Sequence, residues 1–424
     1  PIDLFSYWIK NTGRFLEPEK VPINPLKYPA KKGFITYEPK GVIAIITPWN
    51  YPVAIPVRNF VPALMAGNVV IFKPASTVPL VSRLLGRIFA SELPAGVFNL
   101  VQGRGKTGDA ILDCGIDHLI FTGSVELGRR LAQKMAARFI SFSMELGGKD
   151  SAIVLEDCDL ERTVEGILWG AFTNCGQNCA SIERVYVVEK IYDEFRDRLV
   201  KRCGDLRIQG EEFYEAGSLN NEEQLKTVED HLKDARERGA VVITGGKRFG
   251  SGFGFKPTIV EEAPHDSLII QEESFGPFLP LIKVRDPEEA VRLANQNRYG
   301  LTNSVWTRDF RKGAEIAKRL ESGVVTINNH SFTAAMPFAP WTGRKETGGG
   351  TTNSHIALME MVHPKFILTD RNKAREIWWY PYNQAAVEMA KSLAVLITGG
   401  AKGKFRAFVN LIRNFARRFT SQSR

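Results

Sequence analysis

Short β-branched runs alternating with amphipathic helical stretches predict an α/β chain of two doubly wound parallel-sheet domains with a small projecting arm. Three observations carry that expectation. The strands are near-continuous apolar runs rather than in–out alternations, as expected where helices cover both faces of a parallel sheet. The strand–helix pattern repeats beyond residue 150 with different content. The chain has 424 residues, more than one hydrophobic core usually holds.

In order, residues 41–47 (GVIAIIT) read as a buried strand and 57–66 as a helix that stops at Gly67. A strand at 68–72 (NVVIF), a helix at 79–93 and a strand at 97–101 (VFNLV) follow. A helix at 106–114, a strand at 118–121, the turn Thr122-Gly123-Ser124 and a basic helix at 125–138 complete the first sheet. The second pattern has strands at 152–155, 185–188, 241–244, 279–284 and 324–327. Its helices fall at 160–173, 192–202, 222–238, 287–295 and 310–320. Residues 18–40, rich in Pro and Lys with a strand read at 34–38, are expected to project as the arm.

Composition narrows the class. With 44% apolar and 24% charged residues the chain has material for a core, and no run approaches the ~20 apolar residues of a membrane span. It starts at Pro1 without a methionine or signal peptide, so a truncated start is expected. Five cysteines, an odd number without zinc-like pairing, argue against a metal site and for a reducing, cytoplasmic compartment. The formal charge of +9 is local: residues 371–424 hold eleven Lys/Arg against Glu376 and Glu388, which leaves the body neutral.

Two runs bear most of the chemistry. Met144-Glu145-Leu146-Gly147-Gly148-Lys149 sets a carboxylate beside glycines, and Gly176-Gln177-Asn178-Cys179 sets a thiol among small and polar residues. A thiol and a carboxylate that meet can do covalent catalysis, one attacking a carbonyl and the other activating water. Read singly, each has a plain alternative: Glu145 as a turn carboxylate, Cys179 as a small buried hydrophobe. Cys114, Cys158, Cys175 and Cys203 are assigned to that second alternative. Asn50, in Pro48-Trp49-Asn50-Tyr51-Pro52 at the end of the first strand, can donate to an oxyanion or simply make a turn. Lys73 and Ser76 end the next strand, where a cation and a hydroxyl could meet a ribose or its phosphate. Gly123 and Ser124 sit at a strand-to-helix junction suited to a phosphate, although the Gly-x-Gly-x-x-Gly pattern is absent. Glu273 and Phe275 lie in a Gly-Pro turn, where they could meet ribose hydroxyls and a flat ring.

These motifs, in this order and spacing, resemble the aldehyde dehydrogenase superfamily from about Tyr37 to Leu368. The likeness extends to Tyr299-Gly300-Leu301 and to the run from Pro340 to Gly348. The resemblance implies an aldehyde dehydrogenase-like fold and an NAD- or NADP-dependent, hydrolytic oxidation of an aldehyde. It implies Cys179 as nucleophile, Glu145 as deacylating base, and Asn50 with the Cys179 N–H as oxyanion hole. Lys73 and Glu273 would hold ribose groups, Phe275 would flank the nicotinamide, Gly123 and Ser124 would approach the pyrophosphate, and Trp49 would line the cofactor cleft. Its layout implies residues 1–17 and 40–147 as dinucleotide-binding domain, 18–39 and 355–370 as oligomerisation arm, 148–354 as catalytic domain and 371–424 as a basic tail. A homodimer or homotetramer is expected, with no metal and no specific nucleic acid.

Ser76 stands where NAD-preferring members usually carry Glu, which predicts tolerance of NADP. Thr342-Gly343 replaces the usual Gly-Gly near the substrate mouth. Glu145 disfavours acyl transfer to coenzyme A, the reading that would make the chain a CoA-acylating semialdehyde dehydrogenase. A non-catalytic scaffold held to membrane or nucleic acid by the tail is a further alternative, opposed by intact Cys179, Glu145 and Asn50.

In the tail, Phe405, Phe408, Ile412, Phe415 and Phe419 recur at helical steps among Lys402, Lys404, Arg406, Arg413, Arg417 and Arg418. Such a helix fits peripheral contact with a cytoplasmic membrane face through residues 402–419, with Trp378-Trp379-Tyr380 as headgroup-level anchors. It fits equally a helix docked on the protein's own body or on a partner subunit. Contact with lipid would favour an apolar, long-chain aldehyde as substrate.

Overall fold

The structure, a computed structural model, describes residues 2–25, 27–210, 212–373 and 375–420. It divides into two compact units, Pro1–Glu17 with Tyr37–Pro364, and Pro18–Thr36 with Lys365–Arg424.

In the first unit, a five-stranded sheet runs in the order Phe98–Leu100, Val69–Lys73, Val42–Ile46, His118–Thr122, Ser141–Glu145, with every pairing parallel. Helices Ala54–Met65, Pro79–Glu92, Gly105–Asp113 and Val125–Ala136 connect the strands. Because both faces are covered, Ile43, Ala44, Ile45, Val70, Phe72 and Leu119 are almost fully buried. The N-terminal helix Ile2–Phe15 adds Leu4 and Trp8 to the core that Phe60, Phe72 and Phe98 form.

The second sheet has seven strands, in the order Val241–Thr244, Thr258–Glu261, Phe278–Val284, Ile182–Val188, Asp150–Val154, Thr302–Trp306, Val324–Ile327. It is parallel except at one edge, where Val241–Thr244 runs antiparallel to Thr258–Glu261. The expectation of two wholly parallel sheets is corrected there. The connection from Val241–Thr244 to Thr258–Glu261 carries only a small two-stranded ribbon, Arg248–Phe249 with Gly254–Phe255, and has no crossover helix to return the chain in parallel.

Three strands of these two large sheets have no counterpart in the sequence reading. Ser141–Glu145 and Thr302–Trp306 are rich in polar residues, and their place is set by partners. Asn303 accepts from the Ser151 backbone N–H at 3.0 Å and from its hydroxyl at 2.6 Å, so a buried polar strand is satisfied by its neighbour. The third, Thr258–Glu261, is only four residues long.

In the second unit, Glu19–Val21 pairs antiparallel with the strand Lys31–Pro39, and Val362–Asp370 takes the other edge of this three-stranded sheet. Beyond it, Gln384–Thr398 and Ala401–Thr420 form a helical hairpin. No helix among the described residues is long and apolar enough to cross a membrane.

Candidate active site

The five-stranded sheet winds outward from Val42–Ile46 through Val69–Lys73 to Phe98–Leu100, then returns to the other side of the first strand at His118–Thr122. Loops leaving Val42–Ile46 and His118–Thr122 therefore part in opposite directions and open a crevice at the strands' carboxyl ends. A cleft of about 240 Å³ lies there. It is lined by Trp49 and Asn50 from the first loop, Gly123 and Ser124 from the second, and Cys179, Glu273 and Phe275 from the other sheet. Trp49 and Phe275 meet edge to face with ring centres 5.6 Å apart.

The cleft's polar groups suit a dinucleotide. Ser124 is the N-cap of Val125–Ala136 and its side chain makes no cap bond, so the first helical N–H groups can meet a phosphate. A side chain at Gly123 would start 2.5 Å from the Phe121 ring, so only glycine lets the backbone turn this close to the sheet end. The buried Thr122 hydroxyl has no hydrogen-bond partner. Glu273 accepts the Gly148 N–H at 3.0 Å, and burial together with the Glu183 charge pushes its carboxyl up to about 8. Near neutral pH it is mostly protonated and can donate as well as accept. Lys73 is buried at the end of the adjacent strand, its ammonium bonded to the Pro74 carbonyl at 3.3 Å and its pKa lowered by burial. Ser76 is exposed in the turn beyond it. Neither Lys73 nor Ser76 lines the cleft itself.

Cys179 follows a strained turn. Asn174, Cys175 and Gly176 all have left-handed backbones, with φ of 52°, 60° and 71°. A side chain at Gly176 would start 2.1 Å from the Gly276 carbonyl oxygen. Asn174 donates to the carbonyls of Asn50 and Gln177 at 3.1 and 3.2 Å, and Asn50 donates to the Gln177 carbonyl at 3.2 Å. The first-strand loop and the cysteine loop are thus stitched together, with the buried Asn50 Oδ1 unpartnered. Cys179 is half-buried at the cleft, and its thiol is pushed up to about 12 by burial and by the Glu145 charge, while Arg58 opposes the shift. At neutral pH the thiol is protonated until a base removes the proton.

Glu145 is the last residue of its strand, and its carbonyl accepts the Gly123 N–H at 3.0 Å. Its side chain is buried, ion-paired to Arg58 at 2.6 Å, and takes a hydrogen bond from the Thr352 hydroxyl. The alternative of a turn carboxylate at the surface is excluded by that burial.

The sequence profile of the Aldehyde dehydrogenase family matches residues 1–367. The chain belongs to the aldehyde dehydrogenase family. It is 34% identical over 400 residues to a 4,4'-diapolycopene aldehyde oxidase of Methylomonas sp, covering 94% of this chain and 75% of that one. Among solved structures, a betaine aldehyde dehydrogenase of Staphylococcus aureus in complex with NAD+ superposes with a TM-score of 0.84 at 30% identity, over 89% of this chain and 78% of that one. An NADP-dependent enzyme of E. coli superposes with a TM-score of 0.82 at 34% identity, over 86% and 76%.

Several groups around this dehydrogenase's site are absent from the sequence reading. Arg58 lies on the buried face of Ala54–Met65, with its guanidinium 5.7 Å from the Trp341 ring centre. Thr352 comes from the small hairpin of Trp341–Thr342 with Thr351–Thr352, in which the Thr342 hydroxyl donates to the Gly350 carbonyl at 2.8 Å. The altered Thr342 therefore helps shape the hairpin that delivers Thr352 to Glu145. Lys149 and Glu183 form a fully buried ion pair, and Glu183 also takes the backbone N–H groups of Ser274 and Phe275 at 2.8 and 3.0 Å. That pair anchors the turn bearing Glu273 and Phe275. Of the four cysteines assigned to burial, Cys158, Cys175 and Cys203 are buried; Cys114 is exposed, because it caps the carboxyl end of Gly105–Asp113 at the surface.

Removing Arg58 leaves a carboxylate buried without its counter-charge. Arg58→Met is expected to destabilise the protein by about 3–5 kcal/mol in denaturant unfolding, and adding Glu145→Gln to recover much of that loss. Because Arg58 favours the thiolate and Glu145 opposes it, iodoacetamide should alkylate Cys179 more slowly in Arg58→Met and faster in Glu145→Gln. Independent, additive losses in the two variants would sink the pairing.

Proposed function

We propose that this dehydrogenase oxidises an apolar, long-chain aldehyde to its carboxylic acid, using NAD or NADP and a covalent thioester on Cys179. The observation that carries the reading is the meeting of Cys179 with Asn50, Gly123, Ser124, Glu273 and Phe275 on one cleft at the switch point of the sheet. Trp49, Gly123, Ser124, Glu273 and Phe275 would hold the cofactor there, with Lys73 and Ser76 reaching its adenosine ribose from the next strand. A bound nicotinamide supplies an acceptor for the hydride leaving the substrate carbon.

The protein's own steps follow. The Cys179 thiol releases its proton to solvent water as Sγ bonds to the aldehyde carbon, and the carbonyl oxygen becomes an oxyanion held by the Asn50 amide and the Cys179 N–H. Loss of hydride leaves a thioester. Glu145 then takes a proton from water as that water adds to the thioester carbon, and collapse frees the acid and returns the proton to sulfur. Arg58 and the Thr352 hydroxyl fix the two oxygens of Glu145 for this step and act as positioning residues.

A second groove shares Asn50 with the cleft and is lined by Tyr51, Val53, Thr173 and Asn174, which gives the aldehyde its own approach. Burial and the neighbouring Cys179 push the Tyr51 hydroxyl up to about 12, so it stays a neutral donor. The apolar substrate is supported by the likeness to a diapolycopene aldehyde oxidase over 94% of this chain. The Val362–Asp370 edge strand, exposed along nearly its whole length with Phe366, Ile367 and Leu368, supports pairing of subunits through the arm.

The test is formation of reduced nicotinamide with short, long and aromatic aldehydes, using each of the two cofactors. Turnover is expected to be best with long aldehydes and to occur with both cofactors. Ser76→Glu should raise the KM for NADP by about ten-fold or more and leave that for NAD nearly unchanged, since it sets a carboxylate against the 2′-phosphate. Strict NAD use by the wild type would overturn the cofactor reading.

A further inference from the structure

The helical hairpin of Gln384–Thr398 and Ala401–Thr420 is built inside out. Its contact face is small and polar. Ala385 and Ser392 are buried on the first helix beside Met389, and Ala407, Asn414 and Arg418 on the second. Asn410 donates to the Ser392 hydroxyl at 2.9 Å, and Asn414 donates to the Asn410 side chain at 2.8 Å. The large apolar residues point the other way. Phe405 is 71% exposed and Ile412 59%, with Phe408, Val409 and Phe415 also exposed along the same stripe. A helix pair in water normally does the reverse.

At 3.6 residues per turn the second helix carries three separate faces. One is the polar contact face and one the exposed apolar stripe. Between them run Lys402, Arg406, Arg413 and Arg417 in a single basic row, and no acidic residue follows Glu388 in the chain. Arg418 donates to the Ile377 carbonyl at 2.8 Å and to that of Trp379. This ties the end of the helix to the exposed Trp378, Trp379 and Tyr380.

We infer that the outer face of this hairpin docks on an anionic lipid surface. The helix would lie in the interface, with its phenylalanines below the headgroups and its basic row against lipid phosphates. Charge decides among the occupants. A second copy would bring the same basic row against itself, whereas anionic headgroups neutralise it along the whole apolar stripe. The helix lies on the surface rather than crossing it, being too short in apolar content to span. This goes beyond the catalytic proposal and stands independently of it.

The test is flotation of the full chain with vesicles of phosphatidylcholine alone or mixed with phosphatidylglycerol, at low and high salt. Binding is expected only to the anionic vesicles and to weaken with salt. Phe408→Glu with Ile412→Glu should abolish it, and Arg406→Glu with Arg413→Glu should weaken it at least ten-fold, at about five-fold per basic residue lost. Both double variants should oxidise a short soluble aldehyde at the wild-type rate, which shows that they fold. A full chain that stays with the unbound fraction, or variants that float like wild type, would overturn the inference. So would light scattering showing a concentration-dependent assembly that Phe408→Glu with Ile412→Glu abolishes, because the face would then belong to a second copy.

Discussion

Cys179→Ala is expected to fold, to bind both nicotinamide cofactors, and to lose aldehyde oxidation by at least about four orders of magnitude. The sulfur is the only protein atom in the proposed sequence that bonds to the substrate carbon, so positioning alone cannot replace it. Loss of stability should be small, since the side chain is only half-buried, between the cleft and the edge of a small core of Ala180, Leu301 and Trp341. Cys175→Ala is the matched control. Cys175 is buried in the same turn, with its thiol equally high at about 12, yet it donates to the Gly217 carbonyl and does not line the cleft. That variant should keep its chemistry and lose about 1 kcal/mol of stability. Equal inactivation of both would mean that the turn's shape, and not the Cys179 thiol, governs the assay.

Glu145→Gln is expected to separate the two halves of the reaction. With excess aldehyde, one equivalent of reduced nicotinamide should form per site. Steady-state turnover should then fall about 10²–10⁴-fold, because the amide cannot take a proton from water. The acyl group should be recoverable on Cys179 by mass spectrometry of the quenched protein. Glutamine retains the shape of glutamate; with its oxygen turned to Arg58, its amide N–H can donate to the Thr352 hydroxyl, so the site should keep its form. Wild-type turnover in this variant would remove Glu145 from the mechanism. Slow turnover with no burst would move its role to deprotonation of the thiol.

Much of this was legible because the strands buried on both faces are spelled in continuous Val, Ile and Phe, as at 41–47 and 68–72. Motifs at strand ends were legible for the same reason: once the sheet is placed, Asn50 and Gly123 fall at its switch point. What stayed hidden depends on partners distant in sequence. Ser141–Glu145 is a strand because His118–Thr122 pairs with it, and the carboxylate at its end is buried because Arg58 is there to meet it. Nothing local marks Arg58: it sits among apolar and Pro residues on a helix, where a cation reads as a solvated interruption. The polar face of the tail hairpin was hidden likewise, since Asn410 and Asn414 gain meaning only against Ser392.

The two sheets are joined by a tie of four residues, Leu146-Gly147-Gly148-Lys149, running straight from Ser141–Glu145 into Asp150–Val154. Its length sets a ceiling on how far Glu145 can stray from the second sheet, roughly 17 Å at full extension of the five links. Crowding lowers that ceiling further, for a side chain at Gly148 would start 2.3 Å from the Cys179 carbonyl oxygen. The proposed base is thereby held near the backbone of the proposed nucleophile, and the entropy of holding it there is met when the chain folds. Under the proposed mechanism, lengthening the tie would act as dilution: it would lower the effective molarity of the carboxylate at the thioester without touching a single reacting atom.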